Sequence, residues 1–335
     1  MRTFVIGDIH GCYDELITLT KNINLKDEDL LISLGDLVDR GNKSKEVYEY
    51  FKNRPNSIVL MGNHERKHLN GTLSYAQEIV KIQFGEQYSE FIDWIKNLNY
   101  YYETEDAIII HAFFEHDKKL QEQKEEVLSG TTSGDRYLEK KYPENTYWNE
   151  FYKGEKPIIY GHHVVGDHPK ILNNTYGIDT GSCHGNYLTA IELPSFQIHQ
   201  VKTPKDYWVE EQKKWQIPVL KNKNWNEMTF MEIDKQLAKL AYIKEEEIVG
   251  FLSDLQEWKD QLQNSLKEIK TMIDDLTRSV MEKNPDTFPL EVEKYFFKGF
   301  MYKSRTNRLE VKDLEKHIDT PQKVMDMQMG LKNAQ

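Results

Sequence analysis

Five short apolar runs in the first half of the chain each end in residues able to hold a metal or move a proton. Val5-Ile6 leads into Gly7-Asp8-Ile9-His10-Gly11, and residues 30–34 lead into Gly35-Asp36-Leu37-Val38-Asp39-Arg40-Gly41. Residues 58–61 lead into Gly62-Asn63-His64-Glu65, residues 107–110 into His111, and residues 157–160 into Gly161-His162-His163. Runs this short and this apolar, bounded by glycine, read as buried strands. The first three are followed by helical spacing, to Asn22, from about Ser44 to Phe51, and out to Leu98. Open α/β sheets gather functional groups at the carboxyl ends of their strands, where loops enter helices. The pattern therefore predicts an α/β fold that brings Asp8, His10, Asp36, Asn63, His111 and His162 to one edge. Further strands are expected at 175–181, 187–193 and 196–201.

That set mixes carboxylate, imidazole and amide with no thiolate, which suits borderline or hard divalent ions such as Mn, Fe or Zn. Six donors exceed what one ion takes once water is counted, so two ions sharing one carboxylate fit better. Composition agrees with a protein of this kind. The chain has 335 residues, 39% hydrophobic and 30% charged, enough for one catalytic domain and something smaller. Its net charge of −11 argues against broad nucleic-acid binding, which needs clustered Lys and Arg. No run of about 18 apolar residues is present, and the start, MRTFVIGDIHG, enters a strand without an export signal. Cys12 and Cys183 are too few for a disulfide framework, so a cytoplasmic location is expected. Both cysteines flank the motifs, and two buried structural thiols are preferred over a redox role.

The motif series resembles the phosphoprotein-phosphatase branch of the calcineurin-like metallophosphoesterases, whose bacterial and phage-type members are related to diadenosine tetraphosphate hydrolases. Gly177-Ile178-Asp179-Thr180-Gly181-Ser182-Cys183-His184-Gly185 and the strand after it are similar to the segment that follows the last ligand there. The resemblance covers about residues 1–200 and implies an αββα metallophosphoesterase sandwich with two divalent ions, Mn first, in the cleft at the strand ends. It implies Asp8 and His10 on the first metal, Asp36 bridging, and Asn63, His111 and His162 on the second. It also implies that a metal-activated hydroxide attacks phosphorus, that His64 protonates the leaving oxygen with Asp39 orienting its ring, and that Arg40 clamps phosphate. Alternatives stay open. His163 can replace His162, and Arg40 can be a salt-bridge partner of Asp8 or Asp36. His68, His116 and His184 have no motif position and read as surface or supporting residues.

The departures concern substrate. Phe113 stands where many relatives have glycine, Asn42 where they often have proline, and Trp148-Asn149-Glu150 carries a carboxylate where phage-type relatives place a second arginine clamp. Either Arg136 supplies that clamp or the site has one fewer. Residues 115–156, long and Tyr-rich, form a cap over the cleft, in which Tyr137, Tyr142, Tyr147 and Trp148 stack on a substrate ring or build the cap's own core. The resulting expectation is a dinuclear phosphomonoesterase, first a serine/threonine or dual-specificity protein phosphatase. The alternative is a nucleotide phosphohydrolase acting on a diadenosine polyphosphate or an RNA-end phosphate. A binding protein that recruits a partner through its helical tail is a third. The partner expected of the enzyme is a phosphorylated protein or small phosphorylated substrate, with RNA or a nucleotide as the alternative and no membrane.

Beyond residue 202 the resemblance ends. Residues 209–226, rich in Trp and Lys, read as a linker or a strap on the first domain, so the domains are expected at 1–202 and 203–335. From 230 to about 283 the spacing is helical. Leu255, Trp258, Leu262, Leu266, Ile269, Ile273, Leu276 and Val280 form a stripe too wide for a coiled-coil seam, which predicts a core-facing helix in a small bundle stopped by Asn284-Pro285.

Overall fold

The computed structural model describes residues 2–283 and 285–334; Asn284, half of the expected helix stop, lies outside them. The chain divides into two compact units, Met1–Lys221 and Asn222–Gln335. In chain order the strands of the first unit are β1 (Thr3–Ile6), β2 (Leu30–Ser33), β3 (Ser57–Val59), β4 (Tyr101–Glu103), β5 (Ile108–Ile110), β6 (Ile158–Tyr160), β7 (Lys170–Leu172), β8 (Thr175–Gly177), β9 (Tyr187–Leu193) and β10 (Gln197–Lys202). Its helices are α1 (Tyr13–Asn22), α2 (Ser44–Asn53), α3 (Asn63–Leu69), α4 (Tyr75–Phe84), α5 (Tyr88–Ile95), α6 (Glu125–Leu128), α7 (Thr132–Glu139) and α8 (Tyr207–Asn222).

The strands form two sheets, ordered β10-β9-β1-β2-β3 and β4-β5-β6-β8-β7. Each has three parallel strands, β1-β2-β3 in one and β5-β6-β8 in the other. The remaining strands of both sheets pair antiparallel. Side chains alternate between faces with period two, and that alternation sorts the core into layers. Phe4 and Ile6 of β1 pack outward with Leu16, Val47, Val80 and Phe91 of the covering helices. Val5, between them, points inward to a shared core with Ile32, Ile109, Ile159 and Ile191, drawn from both sheets. On the far side Ile108, Ile110, Ile158 and Tyr160 meet Val127, Leu138 and Trp148 of the 115–156 segment. The layer order is helices, sheet, sheet, helical cap, the αββα sandwich expected from the motifs.

Two strands escaped the sequence reading. β4 (Tyr-Tyr-Glu) and β7 (Lys-Ile-Leu) lie at sheet edges, and their residues, none of them buried, form no apolar run of the kind that marked the other three-residue strands. The cap closes on itself. Buried Glu115 holds it together, accepting from Tyr137 Oη at 2.9 Å, Lys118 Nζ at 2.9 Å and Lys141 Nζ at 2.8 Å. Tyr142, Trp148 and Tyr152 are buried in its own core. The 209–226 stretch is a strap, mostly helix α8. Tyr207 Oη donates to Glu15 Oε1 at 3.0 Å, and Tyr75 Oη donates to the Gln212 carbonyl at 2.7 Å. These bonds keep α8 with the sheets, so the first unit ends at Lys221 and not at residue 202.

The second unit is helical: α9 (Phe230–Leu240), α10 (Glu246–Lys283), α11 (Phe288–Val292), α12 (Lys298–Arg305), α13 (Val311–His317) and α14 (Pro321–Ala334). Thr229 caps α9 by accepting from the Glu232 N–H, and Glu232 Oε2 accepts from the Thr229 N–H at 2.8 Å, a reciprocal box. α10 packs against the other five helices, as a core-facing helix must. Its buried face is turned slightly from the expected stripe. Lys259 and Thr277 are buried with Leu255, Leu266, Ile269 and Ile273, while Trp258, Leu262, Leu276 and Val280 are half-buried. Lys259 can lie there because its stem packs while its ammonium reaches Asp234 and, at 3.3 Å, Asp260.

Candidate metal centre

Each predicted residue leaves a strand end. Asp8 and His10 follow β1, Asp36, Asp39 and Arg40 follow β2, Asn63 and His64 open α3 after β3, His111 follows β5 and His162 follows β6. Five of them sit in the left-handed region, His10 at φ 46°, Asp36 at 50°, Asp39 at 73°, Arg40 at 65° and His162 at 73°. L side chains adopt that region at a cost of about 1–3 kcal/mol each, and residues held there cluster at functional sites. The turn it produces aims each side chain back across the strand ends. Two glycines allow the approach. A Cβ on Gly62 would stand 2.1 Å from Asp36 Oδ1, and one on Gly161 would stand 2.1 Å from Asp8 Oδ1.

Asp36 lies at the centre. His10 Nε2 is 3.6 Å from its Oδ2, and His111 Nε2 is 3.5 Å from its Oδ1. Two groups of donor atoms converge, His10-Asp36-His64 and Asp36-His111-His162, each within 4.8 Å, and Asp36 belongs to both. Asn63 Oδ1 joins the second, 3.1 Å from His111 Nε2 and 3.0 Å from His162 Nδ1. His64 enters the first group where the family pattern sets Asp8. Asp8 instead receives the His162 N–H on both carboxylate oxygens at 3.2 Å, beside the charges of Asp36 and Asp179.

These residues fit divalent ions. His10 Nδ1 donates to the Val38 carbonyl at 2.9 Å and His111 Nδ1 to the Leu34 carbonyl at 3.1 Å, which turns the other nitrogen of each ring inward as a lone pair. The lone pair of His111 then faces the carbonyl oxygen of Asn63, two acceptors meeting with no proton between them, an arrangement that a shared cation resolves. Separations of about 3.0–3.6 Å are those of donors around one ion with bonds of about 2.0–2.2 Å. Burial holds His10, His111 and His162 below the usual imidazole range, hence neutral, the form that ligates. Burial also pushes Asp8 well above the usual carboxylate range, with Asp179 and Asp36 adding to it, and pushes Asp179 up to about 6. Crowded carboxylates beside neutral imidazoles are a site short of positive charge.

Beside these groups lies a hydrogen-bonded chain of His64, Asp39, His68 and Tyr88. His64 Nδ1 is 2.5 Å from Asp39 Oδ2, and His68 Nε2 is 3.0 Å from Asp39 Oδ1. Gln77 Nε2 donates to Asp39 as well, and Tyr88 Oη lies 2.9 Å from His68 Nδ1. Burial opposes the charge on Asp39, yet His68 and His64 hold its carboxyl well below the usual range. The Arg40 guanidinium spans two rings, Nη1 to His10 Nε2 at 3.2 Å and Nη2 to His64 Nε2 at 3.1 Å, and forms no ion pair with a carboxylate among the described residues.

The remaining candidates separate. Arg136 is exposed on α7 and makes no hydrogen bond or ion pair with a described residue, so the structure does not bring it to the site residues. Glu150 accepts from the Tyr147 N–H at 2.8 Å, closing its own turn. His163 Nδ1 lies 3.3 Å from Tyr147 Oη, outside both donor groups. Cys12 and Cys183 are free and buried.

Four residues had no role assigned from sequence. Glu65 accepts from the N–H groups of Asp36 and Leu37 at 2.8 Å and of Gly62 at 3.2 Å, pinning two ligand loops together; burial pushes it up to about 8. His68 stands one turn after His64 on α3, a spacing that does place both rings on one face. Asp179 follows β8 as the ligands follow their strands, a signal equally visible beforehand. Gln77 carried none.

A family model described as calcineurin-like phosphoesterase matches residues 1–185. A curated bis(5'-nucleosyl)-tetraphosphatase PrpE (asymmetrical) of Bacillus velezensis is 30% identical over 234 residues, 61% of this chain and 93% of its own length. The protein of the same name from Anoxybacillus flavithermus is 30% identical over 239 residues, 62% of this chain and 96% of its own. A crystal structure assigned provisionally as a diadenosine tetraphosphatase superposes with a TM-score of 0.50 at 20% identity, over 60% of this chain and 93% of that one, which bears on the fold alone.

Proposed function

From the premise that the chain belongs to the calcineurin-like phosphoesterase family, we propose that it hydrolyses dinucleoside polyphosphates by asymmetric cleavage at a two-metal centre. That it is a metal-dependent phosphoric ester hydrolase follows from the family. The finer reading is carried by one observation: curated relatives 30% identical to this chain, matched over nearly their full length, are bis(5'-nucleosyl)-tetraphosphatases. It replaces the serine/threonine protein phosphatase that the motifs alone favoured.

Asp8, His10 and Asp36 would hold one ion and Asp36, Asn63, His111 and His162 the other, with Mn the first candidate and Fe or Zn next. When bound, the pair supplies charge neutralisation for the phosphoryl oxygens and acidifies the attacking water. The rest falls to the chain itself. Arg40, whose fork spans the two rings, turns it onto two phosphoryl oxygens. The oxygen of water bonds to phosphorus, the P–O bond of the anhydride breaks, and its electron pair leaves with the polyphosphate oxygen. With a tetraphosphate, asymmetric cleavage gives a nucleoside triphosphate and a nucleoside monophosphate. His64, freed of Arg40 and braced by Asp39, supplies a proton to that oxygen when it is basic enough to need one.

The His64-Asp39 pair also favours a second reading, because a serine alkoxide is a far poorer leaving group than a polyphosphate and gains most from an acid. Metal-loaded full-length protein given diadenosine tetraphosphate and a phosphoserine peptide at equal concentration decides between them. The first reading expects faster turnover of the dinucleotide, with adenosine mono- and triphosphate as products; turnover of the peptide alone would replace it with the second.

A further inference from the structure

Resting on that reading, we infer that the cleft between α7 and the 142–148 segment of the cap receives a nucleoside end of the substrate. The cleft shares a wall with the metal centre. The Phe113 ring meets His162 edge-on at a centroid distance of 5.2 Å and His163 at 5.4 Å, and Tyr147, whose hydroxyl reaches His163, packs on Phe113 at 5.9 Å. Phe113 and Tyr147 also line the cleft. One aromatic layer therefore separates it from a candidate ligand.

Size and chemistry narrow the occupant. The cavity measures about 380 Å³, within the range of small-molecule sites and roomy enough for a base and ribose. Its walls are largely aromatic, and its lining carries the carboxylates of Asp135, Glu139 and Glu144, the Asn145 amide and the hydroxyls of Thr146, Tyr142 and Tyr147; none of its lining residues is Lys or Arg. Such a cleft repels a second phosphate. It suits a flat ring for Tyr147 to stack on and neutral donors, an exocyclic amine and ribose hydroxyls, for the carboxylates to accept. Trp148, 1% exposed, lines the cleft too, and its side chain interacts with the Tyr147 hydroxyl, which ties the two aromatic walls together. Phe113, a departure from the family's glycine, thus forms the partition between base and metals.

The test uses adenosine, which carries no phosphate for the metals or Arg40 to hold. Calorimetric titration of metal-loaded full-length protein with adenosine is run on the wild type and on Thr146→Trp and Glu139→Trp, which fill the cleft from opposite walls. The expected result is adenosine binding by the wild type, its loss in both variants, and a rise in KM for diadenosine tetraphosphate of roughly tenfold or more beyond any change on p-nitrophenyl phosphate. Hydrolysis of the aryl phosphate verifies that each variant is folded and loaded. A wild type that cleaves the dinucleotide without binding adenosine, with KM unmoved in both variants, overturns the subsite and leaves the proposed function standing. A wild type that binds adenosine in the cleft but cleaves no dinucleotide overturns the function and leaves the subsite. A KM rise confined to a basic phosphoserine peptide would assign the acidic cleft to peptide and overturn the inference.

Discussion

Asp39 is fixed by three side chains at once, which holds His64 in the position that the proposed acid role requires. One carboxylate oxygen takes His64 and Gln77, the other takes His68, and His68 is held in turn by Tyr88. A proton donor matters in proportion to the basicity of the leaving oxygen. His64→Asn is therefore expected to lower the rate on a phosphoserine peptide far more than on diadenosine tetraphosphate, by a factor within the general-acid range of about 10²–10⁴. His68→Ala should follow the same substrate dependence more mildly, because it releases Asp39 without removing the ring. Steady-state rates on both substrates check this, and equal losses on the two would make His64 a ligand, in keeping with its place beside His10 and Asp36. At this scale the motif residues were legible, since aspartate, histidine and asparagine at strand ends have few other reasons to recur. Gln77 was not, because its partner Asp39 is distant in sequence and only the fold brings α4 to it; His68 was read as a surface or supporting residue, and the fold shows which of the two it is.

The joint between β1 and β2 shows how an element is held by charge. Asp29, just before β2, receives Arg2 Nη2 at 2.6 Å, the Arg2 N–H at 3.1 Å and the Lys26 N–H at 3.0 Å. Burial works against its charge, but the Arg2 side chain and the two backbone donors outweigh it and hold it at about 2. The unfolded value is about 3.9. A depressed carboxyl stabilises the fold above the unfolded value, and the gain is lost as pH falls through about 2. Urea midpoints of the wild type and Asp29→Asn should thus differ most near neutral pH and converge toward pH 2; a constant gap would mean that the bond works through shape, not charge. In the second unit, Leu266→Ala should cost about 2–5 kcal/mol by thermal unfolding, since Leu266 is 1% exposed within the α10 seam. Periodicity disclosed α10 and the parallel strands well. It missed the phase of the α10 face, because a lysine whose stem packs counts as polar in any pattern, and it missed β4 and β7, whose residues form no apolar run.

For the molecule as a whole, the change of composition near residue 202 was legible but the boundary was not. Composition changes where the sheets end, whereas the fold continues through α8, tied to α1 through Tyr207 and to α4 through Tyr75 and Gln83. A chain ending at Lys221 should fold and keep aryl-phosphate hydrolysis, while one ending at residue 202 should lose thermal stability because Tyr207 no longer covers Glu15; equal melting temperatures would assign α8 no part in the first unit. The helical second unit lies beyond the 1–185 family match, so the chemistry rests on the sandwich. In the sandwich, five strand ends assemble one centre around a shared Asp36. Calorimetric titration of metal-free full-length protein with Mn tests this most directly, run on the wild type and Asp36→Asn. Two ions per wild-type chain are expected, with weaker binding of both in the variant and turnover lost. A single ion in the wild type, or two ions held as tightly without the Asp36 carboxylate, would contradict it.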